Sequence, residues 1–294
     1  ADKNRAVLNN DALANQYIAE ARFVRALCYH SLLRMYCRPY ADGNGSQLGV
    51  PLRLRGEVGP ANNNLARSTV AQVYDQILQD LNFAEQNLAA SNGSALLNVT
   101  RAHKNAAIAL KTRVYLSMQR YADVITEANK LVPATAPFKA SSGAAHELQA
   151  NVKNVFTAPY TTTESIFSMP FTTNDLPGVQ NGLGSYYNPG PRGIGDYSLN
   201  PAGIIGDMVS FTATDARRQF VLNHSNNKPY LNKFPAGPEH LDNVPVLRYA
   251  EVLLNLAEAE ARVNGLSQRA VDLLNAVHGR SEPAVVYTLV DFAV

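Results

Sequence analysis

Apolar side chains recur at helical spacing through the first part of the chain. Steps of three and four residues join a stripe that predicts the buried face of a long helix, which consists of Leu13, Tyr17, Ala21, Val24, Cys28, Leu32 and Met35. Pro39 ends that helix, and a loop follows over about 39–67. Thr69 and Gln72 have the spacing of a capping box. They predict a second helix whose buried face contains Val70, Val73, Ile77, Leu81, Ala84 and Leu88.

A pair of shorter helical segments follows, over about 101–118 and 121–132, and ends at Pro133. The pattern places a tight turn at Gln119, and it places Ala128 where two helices must approach closely. This segment resembles the tetratricopeptide helix–turn–helix unit. Such a hairpin cannot bury its apolar face alone, so we expect several of them to stack.

A looser copy of the same unit lies near the end of the chain. Helical periodicity predicts one helix over about 245–263 and another over about 267–277, with Gly265 at the turn and Ala270 on the second helix. The predicted fold class is therefore mainly α, built of tetratricopeptide-like hairpins.

The segment between the two hairpins differs from the rest of the chain. Residues 133–245 hold 12 of the 16 prolines and 10 of the 18 glycines, so long helices are not expected there. One strand-like segment lies at 165–171, and 178–203 consists almost entirely of residues that favour turns. We expect a loop-rich, irregular lobe carried by the helical scaffold, and loops of this length are usually functional.

Charge and hydropathy exclude several classes of protein. The 294 residues carry 26 basic and 24 acidic side chains without a block of like charge, and this argues against a nucleic-acid partner. No apolar stretch approaches the roughly 18 residues that cross a bilayer. The amino terminus shows no export signal.

Catalytic and metal-binding patterns are missing as well. The six histidines never occur at the spacing of a helical metal site, and neither a dinucleotide fingerprint nor a phosphate-binding loop is present. Glu258 and Arg262 have the order of a helical ion pair, and Asp215 with its neighbouring arginines predicts a loop anchor. We therefore predict no catalytic residues, no metal and no cofactor. His224 and His240 lie in predicted loops and remain candidates for ligand contact.

The order of the segments is similar to that of the SusD/RagB family of bacterial surface lipoproteins. The similarity covers roughly residues 17–294 and rests on AEARFVRALCYHSLLRMY (19–36), a loop ending in GVPL (49–52), RSTVAQVYDQILQDLNFAEQNL (67–88), the hairpin from Ala106, DARR (215–218) and RYAEVLLNLAEA (248–259). The last segment is the strongest of these.

This resemblance implies one SusD-like unit over 1–294, with a helical scaffold at about 12–132 and 245–279 and a loop-rich lobe at about 133–245. It implies a protein without catalysis, tethered to the extracellular face of the outer membrane by a lipidated amino-terminal cysteine that this chain lacks. It also implies that the protein captures oligosaccharide for a SusC-like TonB-dependent transporter. Some members of the family take peptides instead.

Two departures from the family pattern bear on these expectations. The chain stops at VVYTLVDFAV (285–294), which indicates an incomplete segment. It contains no tryptophan, so sugar stacking would depend on tyrosine and phenylalanine, and a peptide ligand becomes a credible alternative. A tetratricopeptide scaffold that binds another protein is a third possibility, although the long central lobe is superfluous for that role.

Loop tyrosines are the best candidates for ligand contact. Flat amphipathic rings can stack on the C–H face of a pyranose, while amide and guanidinium groups bind its hydroxyls. The predicted ligand-binding residues of the lobe are Tyr186, Tyr187, Asn188, Arg192, Asp196 and Tyr197, and those of the first loop are Tyr40, Asp42, Asn44 and Gln47. Binding residues concentrate on loops that a rigid scaffold supports.

Overall fold

The computed structural model describes residues 4–57, 59 and 63–292, and helices dominate it. In chain order the helices are α1 (Arg5–Leu8), α2 (Asp11–Tyr36), α3 (Val70–Asn87), α4 (Ala95–Thr100), α5 (Lys104–Ser117), α6 (Tyr121–Ala128), α7 (Gly178–Asn181), α8 (Leu183–Tyr187), α9 (Tyr249–Asn264) and α10 (Gln268–Gly279). The strands are β1 (Ser165–Met169), β2 (Val221–Asn223), β3 (Pro229–Leu231) and β4 (Val244–Arg248). The predicted mainly α fold class is confirmed.

Helices α2 and α3 pack side by side and form one end of the main core. The capping box at the start of α3 is present, since Thr69 Oγ1 accepts from Gln72 N and Gln72 Oε1 accepts from Thr69 N. Every residue of the predicted apolar face of α3 is buried. That face is therefore confirmed.

The predicted face of α2 is wrong. Its buried residues include Phe23, Ala26 and Leu33, whereas Val24 is 46% exposed and Met35 is 76% exposed. Other members of the predicted stripe are exposed too, namely Tyr17, Ala21, Cys28 and Leu32. Apolar residues lie all around this helix, and periodicity alone does not tell which stripe α3 will cover.

The two hairpins form as predicted in outline. Gln119 adopts φ +57° at the turn between α5 and α6, and Ala128 is fully buried. Gly265 (φ +71°) ends α9, and the Ser267 side chain accepts from Ala270 N at the start of α10. Helix α9 packs against both α6 and α10, so the hairpins stack on one another.

The α9 segment begins later than periodicity predicts. Residues from Pro245 to Arg248 belong to β4, which pairs antiparallel with β1, and the helix starts at Tyr249. Pro245 suits the first turn of a helix, but pairing with β1 decides the conformation here. The predicted strand at 165–171 is confirmed over Ser165–Met169.

A second, smaller apolar cluster lies in the loop-rich lobe. It consists of Val152, Val155, Phe156, Phe220 and Phe234, with Leu183, Tyr187 and Leu231 packed against it. The two short helices α7 and α8 lie inside the segment that turn chemistry marks as irregular. This second cluster supports the loops on which the candidate site lies.

Candidate functional site

Three tyrosines of the lobe come together on the second cluster. The ring centroid of Tyr197 lies 6.0 Å from that of Tyr186 and 6.0 Å from that of Tyr187. The Tyr187 ring stacks on Phe234 at 6.1 Å. Tyr197 is 60% exposed, while Tyr186 and Tyr187 are partly buried. We refer to Tyr186, Tyr187 and Tyr197 as the tyrosine site.

Backbone hydrogen bonds hold the tyrosine site in place. Tyr197 N donates to Tyr186 O at 3.2 Å, and Ile194 N donates to Ser185 O at 2.8 Å, so the strand-like return of the loop lies along α8. Gly193 lies where a Cβ atom would approach Ser185 O to 2.5 Å. Only a glycine therefore allows this close approach of loop to helix.

Arg192 and Asp196 flank the tyrosine site and are exposed. Within the described residues, neither side chain makes a hydrogen bond or an ion pair. Their polar groups therefore face solvent, in the same segment as the exposed Tyr197 ring. An aromatic surface with a guanidinium and a carboxylate in the same segment suits a ligand that has both C–H faces and hydroxyl groups.

Asn188 has a different role from the one predicted. Its side chain is fully buried, and Nδ2 donates to Gly184 O at 3.0 Å and to Phe234 O at 2.5 Å. A side chain in this position does not reach a ligand on the surface. We therefore correct the prediction of direct contact: Asn188 joins the end of α8 to the segment that carries Phe234, and it holds the tyrosine site from beneath.

The residues of the first loop lie apart from the tyrosine site. Tyr40 is half-buried and packs edge-on against Tyr74 of α3 with the ring centroids 5.4 Å apart, so it belongs to the main core. Asp42 pairs with Arg38 at 3.0 Å, and Asn44 and Gln47 are exposed. This group borders the start of α3, whereas the tyrosine site borders the second cluster.

The two loop histidines differ in their surroundings. His240 packs against the backbone of Gly182 and Gly184, and its Nδ1 is buried with no hydrogen-bond partner among the described residues. His224 lies beside the hairpin turn between β2 and β3 and contacts the edge of Tyr230 at 6.0 Å. His240 therefore lies against the start of α8, close to Asn188.

The predicted loop anchor at Asp215 is confirmed. Its carboxylate accepts from Arg217 N at 2.8 Å and from Arg217 Nη2 at 2.5 Å, and the guanidinium lowers the pKa of this carboxyl although burial opposes the shift. Arg218 donates to Thr212 O at 2.6 Å. The predicted pair of Glu258 and Arg262 is also present, at 3.6 Å on the exposed side of α9.

Sequence reasoning missed Phe234, which supports Tyr187, and Lys233 beside it. Both lie in a short segment, LNKFPAG (231–237), with no periodicity that would single them out. Among the described residues no cluster of three or more histidine, cysteine or acidic side chains is arranged to hold a metal ion. Nor does any helix of that part of the chain have the length and hydropathy to cross a membrane.

Comparison with known proteins connects this architecture to a family. Residues 4–116 match a family model described as starch-binding associating with outer membrane, and residues 184–283 match the SusD family model. The chain belongs to the SusD/RagB family, and that family is associated with the outer membrane. None of the curated proteins matches the chain.

Solved structures show the same fold. A SusD superfamily protein from Bacteroides fragilis is 33% identical with a TM-score of 0.78, over 95% of this chain and 61% of that protein. One from Bacteroides thetaiotaomicron is 22% identical with a TM-score of 0.80, over 97% and 63%. A laminarin binding SusD-like protein is 21% identical with a TM-score of 0.68, over 93% and 65%. The chain thus spans about three fifths of the length of these relatives.

Proposed function

We propose that the chain is a non-catalytic binding protein that captures oligosaccharide at the cell surface. The observation that carries this proposal is the tyrosine site, where the most exposed ring packs at a tilt against two partly buried rings and backbone hydrogen bonds fix the loop that carries it. A rigid aromatic surface binds a sugar face without a large loss of conformational entropy. The family description and the laminarin-binding relative support a sugar as ligand.

We further propose how this binding would serve uptake. The bound oligosaccharide passes to a SusC-like TonB-dependent transporter, and the protein lies on the extracellular face of the outer membrane, tethered by an amino-terminal lipid. In this proposal 1–294 acts as one unit, and the scaffold (about 12–132 and 245–279) holds the lobe (133–245); residues 1–3, 58, 60–62, 293 and 294 of it lie outside the described residues. The association of the family with the outer membrane supports this arrangement.

We expect Tyr197→Ala to weaken the binding of neutral oligosaccharides about tenfold, because it removes the exposed ring of the tyrosine site. Isothermal titration calorimetry with starch-derived and β-glucan oligosaccharides measures this affinity. Tyr36→Ala is the matched control, since Tyr36 is 70% exposed at the end of α2 and should leave the affinity unchanged.

Three outcomes would contradict the proposal. Equal affinity of the parent and Tyr197→Ala for oligosaccharides would show that the tyrosine site does not bind them. Absence of sugar binding, together with saturable binding of peptides, would replace the oligosaccharide by the peptide alternative. Release of shorter products from any oligosaccharide in the assay would contradict the claim that the chain is not a catalyst.

A further inference from the structure

A cavity of about 850 Å³ lies beside the second cluster. Phe156 and Phe220 of that cluster form part of its wall, and Tyr287 and residues of α9 and α10 line it as well. Pockets of this size are typical of small-molecule sites. The cavity thus adjoins the cluster that supports the tyrosine site, but none of the three tyrosines lines it.

Cationic side chains converge on this cavity. Arg217, Lys233, Arg248 and Arg280 all line it. Two of them lie over the same ring, since Lys233 Nζ is 5.0 Å and the Arg248 guanidinium carbon is 5.5 Å from the centroid of Phe156. Like charges at one ring repel each other, and an anion placed between them would offset that repulsion.

The carboxylates near the cavity do not balance these cations. Asp215 pairs with Arg217, and Glu164 alone pairs with both Arg248 and Arg280. Glu251 also lines the cavity, but Arg113 binds both of its oxygens, through Nε at 2.5 Å and Nη2 at 2.6 Å. Only the three arginines of this wall therefore form ion pairs, and they share two carboxylates. Glu282, next to Ser281 of the wall, adds a third negative charge that acts on Arg217, but its carboxylate accepts hydrogen bonds from Thr212 and Thr214 and forms no ion pair among the described residues.

Lys233 is the cation left without a counterion. Of the described residues, none places a carboxylate within 4.0 Å of its Nζ. Burial lowers the pKa of Lys233, and the charges of Arg248 and Arg217 lower it further. Contacts with the faces of Phe156 and Phe220 hold the ammonium group, but they leave its N–H groups able to donate to an oxygen acceptor.

The two neighbouring arginines keep donors as well. Arg217 uses Nε and Nη2 for Asp215, which leaves the N–H groups of Nη1. Arg248 uses Nη1 for Glu164, which leaves Nε and Nη2. A carboxylate or sulfate placed among these donors would receive charge-assisted hydrogen bonds and relieve the repulsion. Aromatic walls next to the donors suit the C–H face of a sugar ring.

We propose that this cavity binds the anionic group, a uronate carboxylate or a sulfate, of an acidic oligosaccharide, with Lys233 as its principal partner and Arg217 and Arg248 beside it. This inference rests on the proposed function, because it takes the ligand to be a sugar. It adds a charge requirement that the tyrosine site does not impose. Acidic sugars then bind through two surfaces, and neutral sugars bind through one.

The test compares a charged sugar with an uncharged form of the same shape. Trigalacturonate should bind at least about tenfold more tightly than its fully methyl-esterified form, as measured by isothermal titration calorimetry, and its affinity should fall as salt is raised because the charges are screened. A sulfated galactose trisaccharide distinguishes sulfate from carboxylate as the preferred anion. Lys233→Met should weaken trigalacturonate binding about tenfold and leave neutral oligosaccharides unaffected.

Lys228→Met is the matched control, since Lys228 is exposed at the neighbouring hairpin turn and should not change the affinity. Circular dichroism tests whether Lys233→Met is folded. If it is not, the comparison of trigalacturonate with its methyl-esterified form on the parent chain still tests the inference. Equal affinity for these two sugars, or equally tight binding of inorganic sulfate alone, would overturn the inference. The proposed function survives that result as long as neutral oligosaccharides bind and Tyr197→Ala weakens them.

Discussion

Buried histidines give the fold a dependence on pH. His30 of α2 is 1% exposed, and burial, with the charges of Arg113 and Arg34, lowers its pKa to about 4. His103 is fully buried, and burial together with its stacked neighbour His146 lowers its pKa to about 4. Both imidazoles are therefore neutral in the folded protein at pH values where an exposed histidine takes up a proton.

We expect the free energy of unfolding to fall as the pH is lowered from about 6.5 to about 4. In that window His30 and His103 are protonated in the unfolded chain but neutral in the folded protein. Below about pH 4 they are protonated in both states. The loss is on the order of 3 kcal/mol for each histidine. Urea unfolding at several pH values measures it.

His30→Gln should flatten that slope, because it removes one of the three buried histidines whose pKa is lowered by burial, the others being His103 and His146. His224→Gln is the control, since His224 lies beside a hairpin turn outside the main core. A slope that is the same in the parent and in His30→Gln would show that His30 does not contribute. The sequence predicts His30 and His103 in or beside helices, but it does not predict their pKa. Burial lowers that pKa, and burial depends on contacts between distant segments, such as that of His103 with His146.

Helix α2 shows what periodicity can and cannot predict. Spacing indicated a helix here, and the structure has one over Asp11–Tyr36. The buried stripe, however, is the one that contacts α3 and β1, where Phe23 meets the ring of Phe167 edge-on at 5.1 Å. In α3 the capping box fixes where the helix starts, and a single apolar face fixes which side is buried, so that prediction was correct.

Two adjacent residues of α2 test the corrected face. We expect Phe23→Ala to lower the free energy of unfolding by about 3–5 kcal/mol, because Phe23 is fully buried and loses its contact with Phe167. Val24→Ala should change it by less than about 0.5 kcal/mol, since Val24 is 46% exposed. Equilibrium unfolding in urea compares the two. A larger loss for Val24→Ala than for Phe23→Ala would restore the face that periodicity predicted.

At the scale of the whole molecule, contacts between distant segments decide the site. The tyrosine site arises within one short segment, α8 and the loop after it, so turn chemistry and aromatic content could point to it in advance. The cavity cannot be found in that way, because Phe156, Arg217, Lys233, Arg248 and Arg280 come from five separate segments. Each is unremarkable in its own segment, and the packing of the second cluster, the pairing of β1 with β4 and the packing of α10 on α9 bring them to one wall.

Glu164 is the residue that joins these segments. It is fully buried just before β1, pairs with Arg248 at the end of β4 and with Arg280 after α10, and accepts from Gln149 N at 2.9 Å. Its single carboxylate thus links the loop-rich lobe, the strand pair and the last hairpin. A buried carboxylate in this position costs free energy to desolvate, and its hydrogen bonds to two guanidinium groups offset that cost.

We expect Glu164→Gln to lower the free energy of unfolding by about 3–5 kcal/mol, because two arginines then lose their shared counterion while they remain partly buried. Glu258→Gln is the matched control: it breaks an exposed pair on α9 and should cost less than about 1 kcal/mol. Urea unfolding followed by circular dichroism and by tyrosine fluorescence measures both variants. If Glu164→Gln is no less stable than Glu258→Gln, the ion pairs of Glu164 with Arg248 and Arg280 do not hold the lobe to the scaffold. Apolar packing alone then does so.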